Sequence, residues 1–314
     1  MILDPVVGFF VLGVIAGRLG SDLKLSSGLY ETLTIYLLLA IGIKGGFELS
    51  QSPVLDLAVP ILVVVAASAV TPMLAYQALY RLGKLPHPDA ASISAHYGSV
   101  SVVTFAVGAS YLTRQNIGHD GYMSIFLVFL EFPALIIGVL LAKGMKADTQ
   151  WRHLAHEVLT GKAILLLVGA LVIGWIWGRD GGAALVPFFE DMFKGFLALF
   201  LLGMGIMTAS RLGDLRRVGL FLSAFGVLMP ILSALGGVLV GWALGMGVGN
   251  ATMLAVLYAS ASYIAAPAAM RIAIPEANPA LSIGVSLGIT FPFNVLIGVP
   301  LYHQLTVWLY GALG

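Results

Sequence analysis

YASASYIAAPAAMRIAIPEANP, residues Tyr258–Pro279, lies between long apolar runs yet is composed like the lining of a binding site. Ser260, Ser262, Tyr263 and a mid-segment Pro267 stand where an ordinary membrane helix would carry leucine and valine. Sliding back 163 positions reaches Ala95–Thr104, AHYGSVSVVT, a second small, hydroxyl-rich stretch with apolar flanks. Two such interruptions, one in each half of a hydrophobic chain, are the pattern of a carrier whose discontinuous helices meet near the bilayer midplane.

The bulk composition sets the class. Of 314 residues, 59% are hydrophobic and 10% charged, and the mean hydropathy is +0.99, far more apolar than a soluble domain. The chain therefore reads as an all-α integral membrane protein. A helix needs about 20 apolar residues to cross the hydrocarbon core. About ten such segments fit, at roughly 5–20, 29–45, 57–80, 90–112, 121–142, 161–178, 186–209, 217–247, 252–272 and 279–310. Segment ten is long enough to contain a break, and Pro292 with Asn294 is the expected place. The first segment lacks the positive leader of a signal peptide and is expected to be retained. Cysteine is absent, so disulfides and thiolate metal sites do not enter.

Lysine and arginine in the loops set orientation. With the N-terminus outside, 12 of the 16 basic residues fall on inside loops and only Lys44, Arg114, Arg179 and Lys194 fall outside. Both termini are then expected outside. The polar connector Lys143–Lys162 divides the halves on the cytoplasmic face, giving a first repeat at 1–145, a linker at 146–160 and a second repeat at 161–314. Within the linker, Trp151, Leu154 and Val158 are spaced for a short interfacial helix; an ordinary solvated connector fits equally.

An internal repeat supports the division. YLLLAIGIKGGFELS at 36–50 aligns without gaps on LFLLGMGIMTASRLG at 199–213, matching Gly42 with Gly205 and Ile43 with Ile206, at the offset that superposes the two interruptions. FPALIIG at 132–138 resembles FPFNVLIG at 291–298. A unit of five segments must enter the membrane from opposite sides in its two copies, so the repeats are expected to be inverted, the geometry of alternating access.

Several residues can carry chemistry. Gly98, Ser99, Ser101 and Thr104 allow the first interruption to unwind, and Ser260, Ser262 and Tyr263 do so in the second. Unwound backbone in a membrane must find partners in a cavity, because lipid supplies none. A half-helix N-terminus there favours an anion, while hydroxyl and carbonyl oxygens suit sodium. Small residues also permit close helix packing, the competing explanation. His96 can bind an anion, relay protons or hydrogen-bond across helices. Glu131 is the one carboxylate well inside a span, where it costs about 2.5–3.5 kcal/mol on insertion scales and so needs a protein or ion partner. Ser101, Ser260, Ser262 and Glu131 are accordingly the coupling-ion candidates. Glu31 and Lys44 sit at the ends of segment two, where long side chains snorkel. Arg271 and Glu276 read as a charged surface loop. Motifs of metalloproteases, serine hydrolases and nucleotide-binding loops do not stand out, so the chain is not expected to be an enzyme. No cofactor, no metal beyond sodium and no nucleic-acid partner is expected.

The chain resembles the sodium-dependent bicarbonate transporter family of cyanobacterial carbon-concentrating systems over nearly its whole length. LLLAIGIKGGFEL at 37–49, the set Gly98, Ser101 and Thr104, Glu131–Phe132–Pro133, MGIMTASRLGDLRRV at 204–218 and RIAIPEANPALSIG at 271–284 carry the resemblance. It implies core and gate domains, a homotrimer, an elevator-like movement of bicarbonate with sodium in a bacterial inner membrane, and a PII-like cytoplasmic regulator. Its binding site falls where segments four and nine meet. The chain departs from that pattern at Tyr263, where the family carries an aspartate, at Glu131, where it favours aspartate, and in the shortened linker. A permease of the same fold for another small organic or inorganic anion, and a non-transporting membrane sensor, are the alternatives.

Overall fold

The computed structural model describes residues 4–51, 54–143, 156, 160–211 and 215–313. Among them the chain is helical throughout, with no strand. The linker residues Trp151, Leu154 and Val158 lie outside the described residues, as does Leu212 of the internal repeat.

Eight helical spans among the described residues are long and apolar enough to cross a membrane. They include α2 (Ser27–Leu49), α3 (Ala58–Leu82), α6 (Met123–Ala142), α7 (Lys162–Gly181), α9 (Gly219–Ala243) and α12 (Pro279–Leu313). A seventh, His87–Arg114, is divided into α4 (His87–Gly98) and α5 (Val102–Arg114), and an eighth, Ala183–Ser210, contains most of α8 (Phe193–Arg211). Two apolar helices fall short of a full crossing: α1 (Pro5–Arg18) and α10 (Val248–Ala259). Helix α10 is short because the predicted ninth segment breaks after Ala259 and resumes as α11 (Ala265–Ala273). Large apolar side chains are exposed in series on α3, α7 and α9, among them Leu62, Trp177 and Leu228. Apolar surface on that scale belongs against lipid or another chain.

The most extensive helix pairings are α2 with α7 and α1 with α8. Both depend on glycine at the crossing. A Cβ on Gly46 would stand 2.8 Å from the Gly174 Cα, and one on Gly205 would stand 2.8 Å from the Val14 nitrogen and 2.9 Å from the Gly13 Cα. Such backbone approach is how membrane helices gain packing energy, since lipid and leucine are equally apolar.

Two buried clusters meet at the helix breaks. The larger gathers α1, α2, α5, α6, α8, α10 and α12, and takes in Val100, Val103, Tyr258 and Ala259. The smaller joins α3, α4, α9 and α11, and takes in Tyr97, Ala261 and Ala266. Both interruptions are thus fixed on each side by packed helices.

Two sequence expectations are corrected. Segment ten does not break at Pro292: α12 runs through it, widening into π-helical turns at Ser286–Thr290 and Asn294–Gly298. A wider turn relieves the clash and the missing donor that proline brings to an α-helix. Arg271 lies not in a loop but in the last turn of α11, with Glu276 in the turn that follows.

Candidate functional site

The first break follows directly from its residues. Helix α4 ends at Gly98, and Ser99 and Ser101 are extended, with φ/ψ of −90°/161° and −117°/113°. Gly98 is there for packing: a Cβ would come within 2.6 Å of the Ala134 methyl and 2.8 Å of the Pro72 ring. Ser101 then caps α5, its Oγ accepting from the Thr104 N–H at 3.2 Å. In the second break Ser260 is extended, at −80°/160°. Its hydroxyl donates to the Leu257 carbonyl at 2.8 Å, and the Ser262 Oγ accepts from the Ala266 N–H at 3.2 Å. The chain-end carbonyl of α10, Ala259 O, accepts from Asn294 Nδ2 at 2.9 Å, and Tyr302 donates to the Asn294 Oδ1 at 2.6 Å.

The two breaks bind each other. The Ser101 N–H donates to Ser260 Oγ at 2.9 Å and the Ser262 N–H to the His96 carbonyl at 2.8 Å. The stretches pass in opposite senses, 101 against 260 and 96 against 262. Ser101 Oγ also reaches the Tyr263 hydroxyl at 3.4 Å, and the Tyr263 ring meets Phe291 edge-on at 5.2 Å. From α6, Glu131 Oε2 accepts from the Val100 N–H at 3.4 Å. The hydroxyls of Ser99 and Ser262 flank the same carboxyl, yet Oε1 of Glu131 and Oγ of Ser99 are buried without a completed hydrogen bond.

A cavity of about 30 Å³ opens at this crossing, lined by Ser101, Glu131, Ser262 and Tyr263, by Thr34 of α2 and by Phe200 of α8. Of the residues singled out from sequence, Ser101, Ser262, Tyr263 and Glu131 line it. Ser260 stands behind it as the hydrogen-bond partner of Ser101, Ser99 beside Glu131, Thr104 one turn into α5, and Gly98 in the helix packing. Helix geometry leaves the N–H groups of Val102 and Val103 in α5 and of Ala265 in α11 without intrahelical acceptors, and all three residues line the cavity. Two helix N-termini therefore converge on one small space, which favours an anion. The uncompleted carboxyl oxygen of Glu131 with nearby hydroxyls offers a hard cation its preferred oxygen ligands. Thr34 went unread in the sequence, although it is a hydroxyl in an otherwise apolar run.

Farther along α2 and α5 lies a second cavity, of about 370 Å³, lined by Lys44, Glu48, His119, Asp120, Glu190 and Lys194 among others. Lys44 thus faces a polar cavity rather than snorkelling, and Glu31 pairs with Lys162. Burial, aided by Lys44 and opposed by Asp120, holds the His119 imidazole down to about 4. Among the described residues no group of His, Cys, Asp and Glu is arranged to hold a metal ion.

Paired broken helices, buried polar groups at their crossing and eight spans long and apolar enough to cross a bilayer define a multi-pass membrane protein. The chain belongs to the Na+-dependent bicarbonate transporter superfamily, whose family model matches residues 5–307. Membership in a transporter family makes it a carrier, not an enzyme. Among curated proteins no match to the chain was found.

Proposed function

We propose that this protein imports bicarbonate, or a similar small monoanion, together with sodium by elevator-like alternating access. The observation that carries the reading is the mutual hydrogen bonding of the two breaks, Ser101 N–H to Ser260 Oγ at 2.9 Å and Ser262 N–H to His96 O at 2.8 Å. The substrate is held by main-chain N–H groups at the starts of α5 and α11 and by the Ser101, Ser262 and Tyr263 side chains, with Gly98, Ser99, Thr104 and Ser260 shaping the breaks. Sodium, the coupling ion that family membership favours, sits beside Glu131, with Ser101, Ser260 and Ser262 as oxygen donors. A cavity of about 30 Å³ selects for a guest of few atoms.

Repeats at 1–145 and 161–314, joined by the linker 146–160, fit this movement. The α2–α7 and α1–α8 pairings support them as inverted copies, since the second is what the first becomes when each helix is exchanged for its repeat partner. Gly42 and Gly205, aligned in sequence, each sit in one of these two contacts. Core and gate domains, a homotrimer in a bacterial inner membrane with both termini outside, and a PII-like cytoplasmic regulator complete the reading.

Uptake of labelled bicarbonate into proteoliposomes, with and without an inward sodium gradient, tests it. Sodium-stimulated accumulation is expected. Accumulation indifferent to sodium removes the coupling, and transport of a small carboxylate in place of bicarbonate favours the sister permease.

A further inference from the structure

A separate space of about 60 Å³ lies between α4, α11 and the start of α12. Its lining includes Ser92, His96, Arg271 and Ser282, with Pro267 and Met270 as apolar walls. It shares no lining residue with the cavity at Ser101 and Ser262.

His96 is 1% exposed, and its Nε2 has no hydrogen-bond partner. The other ring nitrogen, Nδ1, lies 2.8 Å from the Ser92 carbonyl. A carbonyl can only accept, so Nδ1 carries the hydrogen, and in the neutral ring Nε2 is a bare lone pair. A buried acceptor left unmatched is costly, so the site calls for a donor. Close by, Ser92 Oγ and Ser282 Oγ lie 3.2 Å apart. One hydroxyl of that pair donates to the other, which leaves the acceptor's own hydrogen to be given elsewhere. Arg271, exposed at the mouth, supplies guanidinium donors and positive charge.

We propose that this cavity is a second binding site, for a small oxyanion that still carries a proton, of the bicarbonate class. The ligand's O–H donates to His96 Nε2, and its unprotonated oxygens accept from the serine pair and from Arg271. Nitrate has similar size and shape but no hydrogen for Nε2, and chloride has neither the hydrogen nor the shape. The site is coupled to transport through one residue: the carbonyl of His96 receives the Ser262 N–H, so a ligand that fixes the ring also steadies the crossing. The donors and acceptors of this cavity are its own; the count of two ions in the test rests also on bicarbonate being the anion of the crossing.

Equilibrium binding of labelled bicarbonate to the full chain in lipid nanodiscs, at saturating sodium, tests it. Two ions per chain are expected for the wild type. Arg271→Gln, at an exposed position, and Ser282→Ala, which removes one oxygen, should each weaken one of the two sites at least tenfold. Nitrate in excess should compete at no more than one site and leave the site sensitive to Arg271→Gln filled. A single ion per chain removed by Ser101→Ala, or two ions both indifferent to Arg271→Gln and Ser282→Ala, would overturn the second site while leaving the transport reading intact, and would mean the cavity holds ordered water only. Absence of bound bicarbonate altogether would overturn both.

Discussion

The hydroxyl of Ser260 accepts the Ser101 N–H at 2.9 Å while donating to the Leu257 carbonyl at 2.8 Å. A single side chain thus closes the end of α10 and fixes the start of α5, so the order of each break depends on the other.

Ser260→Ala leaves the buried Ser101 N–H without its acceptor, at a cost of about 1–3 kcal/mol. The variant should melt earlier than wild type and transport at a reduced rate. Thermal unfolding in detergent reads the first and initial uptake in proteoliposomes the second; wild-type behaviour in both would detach Ser260 from the crossing.

Glu131→Gln keeps the shape of the side chain and removes the charge available to sodium. Half-saturation for sodium should rise by at least about tenfold, on the order of 1.4 kcal/mol, with bicarbonate half-saturation at saturating sodium changed much less. Initial uptake measured across a sodium series separates the two, and an unchanged sodium dependence would place the cation elsewhere.

Gly46→Val and Gly205→Val introduce side chains where Cβ atoms alone would stand 2.8 Å from Gly174 Cα and from Val14 N. These neighbours are backbone and cannot turn aside, so overpacking by about 1–3 kcal/mol or more is expected. Both variants should lose monodisperse protein on size-exclusion chromatography, whereas Gly195→Val, at a position where a Cβ meets nothing within 4 Å, should not.

How much of this was legible beforehand follows from where the signals are local. The breaks at Ser99–Ser101 and after Ala259 announce themselves because serine and glycine replace leucine and valine within a few residues. The glycine crossings show as a repeat for the same reason. The polar bonds that brace the site carry no such signal: Asn294 to Ala259 and Tyr97 to Thr290 at 2.5 Å join residues far apart in the chain. Each partner alone reads as an ordinary residue of an apolar helix, and the Ala259 acceptor is a main-chain carbonyl that no side chain announces. Pro292 misled in the opposite direction, because a proline predicts a break only where the helix cannot widen its turn.

The charged cavity at Lys44 gives a pH signature independent of transport. His119 is held at about 4 in the fold against about 6.5 in an unfolded chain. Its folded value is depressed, so the unfolded state binds the extra proton first. The stability tied to the neutral ring is complete above pH 6.5 and declines as pH falls toward 4. Melting temperature followed over that window should fall for the wild type and fall less steeply for His119→Gln; parallel curves would show that His119 does not titrate between these limits.

The most direct test of the whole account is an experimental density map of the protein at saturating sodium bicarbonate. A planar anion is expected at the starts of α5 and α11, within hydrogen-bonding distance of main-chain N–H groups beside Ser101 and Ser262, with a cation next to Glu131. A crossing empty of both under those conditions, with the anion bound against another part of the bundle, would contradict it.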